Sequence, residues 1–347
     1  MNIAVLYGGK SPEHQVSLKS AVSVFDNIDY SKYQVTPIYI TQDGSWFSKE
    51  KVTETMTSTN ELITSNLPFS FDNLSKFDVI FPVLLGSNGE DGTLQGLFEI
   101  IDVPYVGNGV TSSAICMDKI IMKSVFSSYK IPQVNYLWWN KSDWIEKKEK
   151  IFKEIESLLG FPCYVKASNL GSSIGVYKCR SIKELSFSMS QAFNFSNKVI
   201  VEEAVKAREI ELAGIGNNDI KFSVAGEVDI GSNIFYDYHA KYNQGLNTIV
   251  PANISNETYI NLIKLAKKCI NAVPIEGLFR ADFFLTEKGK IYVNEINTFP
   301  GFTNTSMFPL LWEKTGLSYT DLIDSLIAFA VERHRRKKGF IKQGNYS

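Results

Sequence analysis

The chain has 347 residues, 44% of them hydrophobic, and a formal net charge of −1, which suits a globular protein of two or three domains and leaves no basic footprint for nucleic acid. Its cysteines (Cys116, Cys163, Cys179 and Cys269) are scattered, with no CxxC and only three histidines, so neither zinc nor a disulfide framework is expected and a reduced, cytoplasmic setting fits. The start, Met-Asn-Ile-Ala-Val-Leu-Tyr, has no basic region and no long apolar run, so neither a signal peptide nor membrane insertion is expected.

The first block, residues 1–115, opens with a buried-type strand from Ile3 to Tyr7, then Gly8-Gly9 and a helical pattern through Ser20, Val24 and Phe25. Further strands are expected at Tyr33–Ile40 and Phe77–Leu84, with a helix at Leu94–Ile101. Strands alternating with helices predict a parallel, Rossmann-like sheet. Lys10-Ser11-Pro12 follows the glycine pair, so the GxGxxG of a dinucleotide fold is missing. Glu50–Ser75, rich in Thr, Ser and Asn, reads as a surface excursion.

The second block, 116–209, begins with a helix carrying Met117, Lys119 and Met122. A helix at Asp143–Leu159 and strands at Cys163–Ala167, Ile174–Cys179 and Lys198–Glu202 follow. The third block, 210–347, holds more strands, a helix at Tyr259–Val273, a hairpin, and a terminal helix from Tyr319 to about Glu332. Mixed α+β units after a parallel-sheet domain predict three lobes with ligands in the clefts between them. The run Arg333-His334-Arg335-Arg336-Lys337-Lys338 reads as a solvated chain end.

Several segments carry chemistry. Glu13 falls at the C-terminal mouth of the first strand, where open sheets bind ligands, although by itself it reads as a surface acid. Lys166-Ala167-Ser168-Asn169-Leu170-Gly171-Ser172-Ser173-Ile174-Gly175 lies between two strand-like runs. Its glycines let backbone N–H groups face phosphate oxygens, with serine hydroxyls and Lys166 adding donors. A strand follows rather than a helix, so this is a flap over a nucleotide and not a Walker A loop; an ordinary hairpin loop has similar composition. Lys241, within a Tyr236-to-Tyr242 aromatic segment, is a second candidate phosphate lysine.

The runs Gly277–Leu285 and Lys290–Asn297 flank a turn at Thr286-Glu287-Lys288-Gly289. Folded symmetrically about Lys288-Gly289, they set Asp282 opposite Glu295 and Arg280 opposite Asn297. Two facing carboxylates repel unless a hard divalent cation such as magnesium bridges them; an exposed hairpin with solvated acids is the plainer alternative. Directly after it, Gly301 can offer its N–H to an oxyanion near Arg280.

Taken in order, Gly8-Gly9…Ser11…Glu13, Gly89-Glu90-Asp91-Gly92-Thr93-Leu94-Gln95-Gly96, Met117-Asp118-Lys119, Gly171-Ser172-Ser173, Tyr236-Asp237-Tyr238…Lys241-Tyr242, Arg280…Asp282 and Asn294-Glu295-Ile296-Asn297-Thr298…Pro300-Gly301-Phe302-Thr303 resemble the D-alanine–D-alanine ligases over essentially the whole chain. That resemblance implies an ATP-grasp fold, in which two α+β lobes at 116–209 and 210–347 clamp ATP behind the N-terminal domain. It also implies ATP-dependent synthesis of D-alanyl-D-alanine for peptidoglycan through an acyl phosphate.

Carried over residue by residue, Asp282, Glu295 and Asn297 match the ligands of two Mg²⁺ ions, for which Mn²⁺ is a possible substitute. Lys119, Lys166 and Lys241 match the phosphate lysines, with Ser173 in the nucleotide flap. Glu202, Glu203, Val205 and Glu209 fall at the adenine and ribose positions. Glu13 matches the acid on the first substrate's ammonium, with Ser172 and Tyr242 beside it. Arg280 and the Gly301 amide match the oxyanion donors, and Ser306 with the Met307 amide matches the clasp on the second carboxylate. The family is commonly a homodimer.

Three positions depart from the family pattern: Leu85-Gly86 where His-Gly is usual, Ala167 where proline follows the flap lysine, and Gln15 where an acid is common. Tyr242 argues against a D-alanine–D-lactate ligase, the rival within the fold together with a D-alanine–D-serine ligase. A divergent nucleotide-binding paralogue of weak activity rests on Leu85 alone.

Overall fold

The computed structural model describes residues 1–52, 54–56, 58–63, 67–171, 175–229 and 247–343. Strand β1 (Asn2–Gly8) is an apolar run buried on both faces, as a central parallel strand requires. It pairs in parallel with β2 (Gln34–Ile40) and β5 (Val79–Val83). Helix α1 (His14–Asn27) buries Val16, Ala21, Val24 and Phe25 beside them.

The sheet is not wholly parallel, contrary to the sequence reading. Strand β3 (Trp46–Ser48) returns antiparallel to β2, and β4 (Leu67–Pro68) pairs antiparallel to β3, giving the order β4-β3-β2-β1-β5. The link between β2 and β3 is the short turn Thr41–Ser45, too short for the crossover that a parallel neighbour needs. Part of the 50–75 excursion thus supplies a sheet edge.

After α2 (Thr59–Ile63) and α3 (Thr93–Ile100), the single helix expected around Lys119 is two. Helix α4 (Val110–Met117) stops at Asp118, whose extended backbone starts α5 (Lys119–Ser128). The Asp118 carboxylate accepts from the N–H groups of Ile120 and Ile121 at 3.0 and 3.2 Å, an N-cap that ends one helix and begins the next.

The second sheet is antiparallel, in the order β6-β9-β7-β8, from β6 (Tyr136–Asn140), β7 (Cys163–Ala167), β8 (Val176–Cys179) and β9 (Lys198–Glu203). Helices α6 (Lys141–Leu158) and α7 (Ile182–Ala192) cover it, and it has its own core around Ile151, Ile155, Val165 and Met189. The third sheet runs β12-β11-β10-β13-β14, from β10 (Ala207–Gly216), β11 (Lys221–Asp229), β12 (Asn247–Ile249), β13 (Gly277–Thr286) and β14 (Ile291–Asn297). Helix α8 (Asn256–Ala272) buries Leu262, Leu265, Ala266 and Cys269, spaced at the helical period, against Phe279, Ala281 and Phe283.

Helices α9 (Met307–Thr315) and α10 (Tyr319–Gln343) end the described chain. Leu322, Ile323, Leu326 and Ile327 of α10 share one core with Val5, Phe81, Phe299 and Phe302, so the chain's end packs on its beginning. Helix α10 continues past Glu332, and the basic run is docked in part: Arg333 is buried and His334 and Arg336 half-buried, while Arg335, Lys337 and Lys338 stay exposed. Arg333 is buried, donates to the carbonyls of Gly107 and Tyr105, and lies 4.4 Å over the Tyr105 ring. Arg336 pairs with Glu276, Lys337 with Glu99 and Lys338 with Asp102. Among the described residues no helix is long and apolar enough to cross a membrane.

Candidate active site

A cavity of about 570 Å³ opens between the three sheets, lined by Glu13, Leu85, Glu90, Lys119, Gly171, Arg280, Glu295, Asn297, Gly301 and Ser306 among others. Of the substrate and metal candidates, Glu13, Arg280, Glu295, Asn297, Gly301 and Ser306 line this one cavity. Lys166 and Glu202 lie on β7 and β9, behind this cavity. Ser172, Ser173, Lys241, Tyr242 and the tyrosines Tyr236 and Tyr238 fall outside the described residues.

The floor is the β13–β14 hairpin. Asp282 stands opposite Glu295 and Arg280 opposite Asn297, as the symmetric folding predicts. The turn is one residue tighter than assumed, with Leu285 opposite Ile291, and a bulge at Asn294 restores the offset before the acids are reached. The neighbouring β10 sets Glu211 directly opposite Asp282 on its other side. Three carboxylates therefore stand abreast across three strands.

Arg280 offsets their charge. Its Nε and Nη2 donate to the two Asp282 oxygens at 2.8 Å each, and Glu211 Oε2 lies 3.0 Å from Nε. Burial by itself would lower the guanidinium's hold on its proton, yet Asp282 and Glu211 keep it well above its ordinary range. Asn297 Nδ2 donates to Asp282 Oδ2 at 2.9 Å. Glu295 Oε2 lies 3.5 Å from Lys119 Nζ, which donates to the Leu170 carbonyl at 2.8 Å. Lys119 thus ties the flap's backbone to the acidic floor.

Among the described residues no three His, Cys, Asp or Glu side chains gather into a metal-holding group. The donor chemistry still fits a hard cation: two carboxylates and one amide oxygen at Asp282, Glu295 and Asn297 suit an ion that keeps waters and phosphate oxygens in its other positions. Glu211 is a charged neighbour that sequence reasoning missed. Its signal was the Glu209-Ile210-Glu211 alternation, which places both acids on one strand face.

On the opposite wall Glu13, only 6% exposed, begins α1. Gly86 makes room for it, since a Cβ there would collide with the Glu13 and Ser11 side-chain oxygens, and its φ of 73° also favours glycine. Glu90 Oε1 accepts from the Gly86 N–H at 2.7 Å. Burial and the nearby Glu13 charge push the Glu90 carboxyl well above the usual carboxylate range. Glu90, within the Gly89-Glu90-Asp91-Gly92 segment, is a second acid beside Glu13 that sequence alone did not single out. Leu85 is buried, joins the core and lines the cavity as an apolar surface.

The loop after β14 is held by α1: Phe302 N–H donates to Ser20 Oγ at 3.3 Å and Asn304 N–H to Ser23 Oγ at 3.1 Å. This fixes Gly301 against the cavity. Ser306 begins α9, its Oγ accepting from the Thr303 N–H at 3.0 Å, and the first N–H groups of that helix follow it.

The nucleotide candidates cluster on the second sheet. Lys166 Nζ donates to Glu202 Oε2 at 2.6 Å, and Lys123 Nζ lies 2.9 Å from Glu202 Oε1. Burial would raise the Glu202 carboxyl, but the two lysines hold it down to about 2. Glu203 accepts from the Asn135 backbone and side-chain N–H groups at 2.9 and 3.0 Å. Val205 occupies the link to β10, and the charge of Glu209 on β10 reaches Lys166. Lys123 was not anticipated.

Two family models match the chain, the D-ala D-ala ligase N-terminus over residues 2–108 and the D-ala D-ala ligase C-terminus over residues 125–328. The D-alanine–D-alanine ligases of Geobacillus thermodenitrificans and Geobacillus kaustophilus are 44% and 45% identical to it, covering 97% of this chain and 97% and 96% of their own. Among solved structures, the D-alanine–D-alanine ligase from Coxiella burnetii superposes with a TM-score of 0.86 at 32% identity, covering 99% of this chain and 97% of that one. The VanG D-Ala:D-Ser ligase from Enterococcus faecalis gives 0.83 at 34% identity, covering 95% and 99%.

Proposed function

The chain belongs to the D-alanine–D-alanine ligase family, with its ATP-grasp fold, and from that premise we propose that it joins two D-alanines at the expense of ATP for peptidoglycan synthesis. The observation that carries the reading is one cavity bounded by Glu13 on one wall and by Arg280, Glu295, Asn297 and Gly301 on the other. An ammonium needs an acid, and a carboxylate being phosphorylated needs cations beside it. The cavity supplies both.

In the proposed reaction, the carboxylate of the first D-alanine attacks the γ-phosphorus of ATP, and the bond to the bridging oxygen breaks to release ADP. The second D-alanine's ammonium gives up a proton to solvent, its amine attacks the acyl phosphate carbon, and the tetrahedral intermediate loses a second proton from nitrogen as it collapses, expelling phosphate and leaving the peptide. Bound magnesium supplies positive charge against the phosphate oxygens; Asp282, Glu295 and Asn297 would hold it, as two ions in our reading and with manganese as a substitute. Glu13 accepts from the first ammonium and so fixes the attacking carboxylate, with Ser172 and Tyr242 beside it. Lys119, Lys166 and Lys241 neutralise the triphosphate, and Ser173 belongs to the flap above it. Glu202, Glu203, Val205 and Glu209 form the adenine and ribose side.

Arg280 and the Gly301 N–H stabilise the oxyanion of the tetrahedral intermediate. Ser306 and the Met307 amide clasp the second carboxylate at the start of α9, where free N–H groups favour an anion. We further propose the division into 1–115, 116–209 and 210–347, a homodimer, and a cytoplasmic setting. D-Serine is the main competing acceptor, because the Enterococcus faecalis relative, 34% identical, is a D-Ala:D-Ser ligase; the 44% and 45% identity to the two Geobacillus D-alanine–D-alanine ligases favours D-alanine. Phosphate release that requires D-alanine, ATP and magnesium together supports the proposal. Release that is indifferent to D-alanine refutes it.

A further inference from the structure

Lys123 lies one helical turn after Lys119 on α5, and its side chain points inward rather than into the cavity. It is 1% exposed, with its ammonium 2.9 Å from Glu202 Oε1 and 5.3 Å from the centre of the Tyr136 ring. The other Glu202 oxygen accepts from Lys166 at 2.6 Å. One carboxylate is thus shared by two lysines, and burial pulls the Lys123 ammonium down from its ordinary range against the hold of Glu202. A buried ammonium is unfavourable where an apolar side chain of the same length would pack, so the pairing calls for a reason beyond packing.

We propose that Lys123 is a positioning residue for the nucleotide: it stays on Glu202 and thereby frees Lys166 to leave that carboxylate for the phosphates. The inference rests on the reading of Lys166 as a phosphate lysine. Lys166 is the penultimate residue of β7, just before the flap, where a bound triphosphate competes with Glu202 for its ammonium. If Lys123 were apolar, departure of Lys166 would leave Glu202 ionised, buried and unpaired, and Lys166 would stay where it is. With Lys123 in place, Glu202 keeps a partner at every stage. Lys123 is too enclosed to meet ATP, so its effect passes through Glu202 and Lys166.

The direct test is a crystal structure of the full chain with ADP and magnesium. The expected result has Lys166 Nζ on a phosphate oxygen and the Lys123–Glu202 pair kept near 2.9 Å. Lys166 remaining on Glu202, or Lys123 leaving it, overturns the proposal. In solution, Lys123→Met should weaken ADP binding by roughly tenfold or more while the KM for D-alanine changes little. Lys123→Met combined with Glu202→Gln should bind ADP more tightly than Lys123→Met alone, since Lys166 is released again. A merely structural role makes the double variant at least as weak as the single one, and that outcome overturns the proposal. Lys166→Met separates premise from inference: unchanged ADP affinity there removes the phosphate-lysine reading. Weakened ADP affinity there, with unchanged affinity in Lys123→Met, removes only the positioning role.

Discussion

Replacing Asp282 by asparagine perturbs charge while leaving shape almost intact. The parent carboxylate accepts Arg280 Nε and Nη2 at 2.8 Å each and Asn297 Nδ2 at 2.9 Å. An amide keeps one oxygen but turns an NH₂ group toward donors. Arg280 still has Glu211 Oε2 at 3.0 Å, so its charge stays paired. The stability cost should therefore be about 1–3 kcal/mol for a misplaced donor, rather than the ~3–5 kcal/mol of an orphaned buried charge. That corresponds to a fall in Tm of roughly 1–4 °C for a chain of this length.

Activity should fall further than stability. A cation bound over this floor loses a charged ligand, and a lost electrostatic contact of this kind costs about 10²–10³ in rate. Glu295→Gln is the companion variant, because its parent side chain is 28% exposed and stands 3.5 Å from Lys119, so it should melt closer to the parent while losing comparable activity. The assay is D-alanine-dependent phosphate release across a magnesium titration, paired with thermal melts. Excess magnesium should recover part of the rate in both variants. Near-parental turnover in both at ordinary magnesium, or loss of activity only in proportion to unfolding, would refute the reasoning.

Glu13→Gln should lower kcat/KM for D-alanine by about 10–100-fold with the KM for ATP little changed, measured by varying each substrate in turn. Glu90 is held above the usual carboxylate range by burial and by Glu13, so the folded protein binds its proton more tightly than the unfolded chain. The associated stability is present at low pH and lost as pH rises through the raised value. Glu90→Gln should therefore raise the Tm more at about pH 8 than at about pH 5, and a lower Tm at the higher pH contradicts this. Leu85→His should cost about 1–3 kcal/mol of stability by burying a polar ring. It should also lower the KM for one D-alanine without changing the product, as substrate-velocity curves and product analysis will tell.

The hairpin shows how far residues alone can lead. Asp282 opposite Glu295 was legible because a short turn between two strand-like runs leaves few registers. The tighter turn and the Asn294 bulge offset each other, so the right pairing came with the wrong turn. Glu211 was not legible, because β10 meets β13 only through a pairing about seventy residues long in sequence. Lys123 was invisible for another reason: its inward direction is set by Glu202 on a strand of a different sheet. The split at Asp118 could have been read from an N-cap residue before Lys119. The basic tail misled in part because composition shows five cationic residues and a histidine in a row but not the acids of α3, Asp102 and Glu276 that pair with Arg336, Lys337 and Lys338.

The measurement closest to the central claim is mass spectrometry of the product formed from equimolar D-alanine, D-serine and D-lactate with ATP and magnesium. The account predicts D-alanyl-D-alanine as the main product, with one ADP and one phosphate released for each dipeptide. D-Alanyl-D-lactate or D-alanyl-D-serine as the main product, or ATP consumed without any dipeptide, would contradict it.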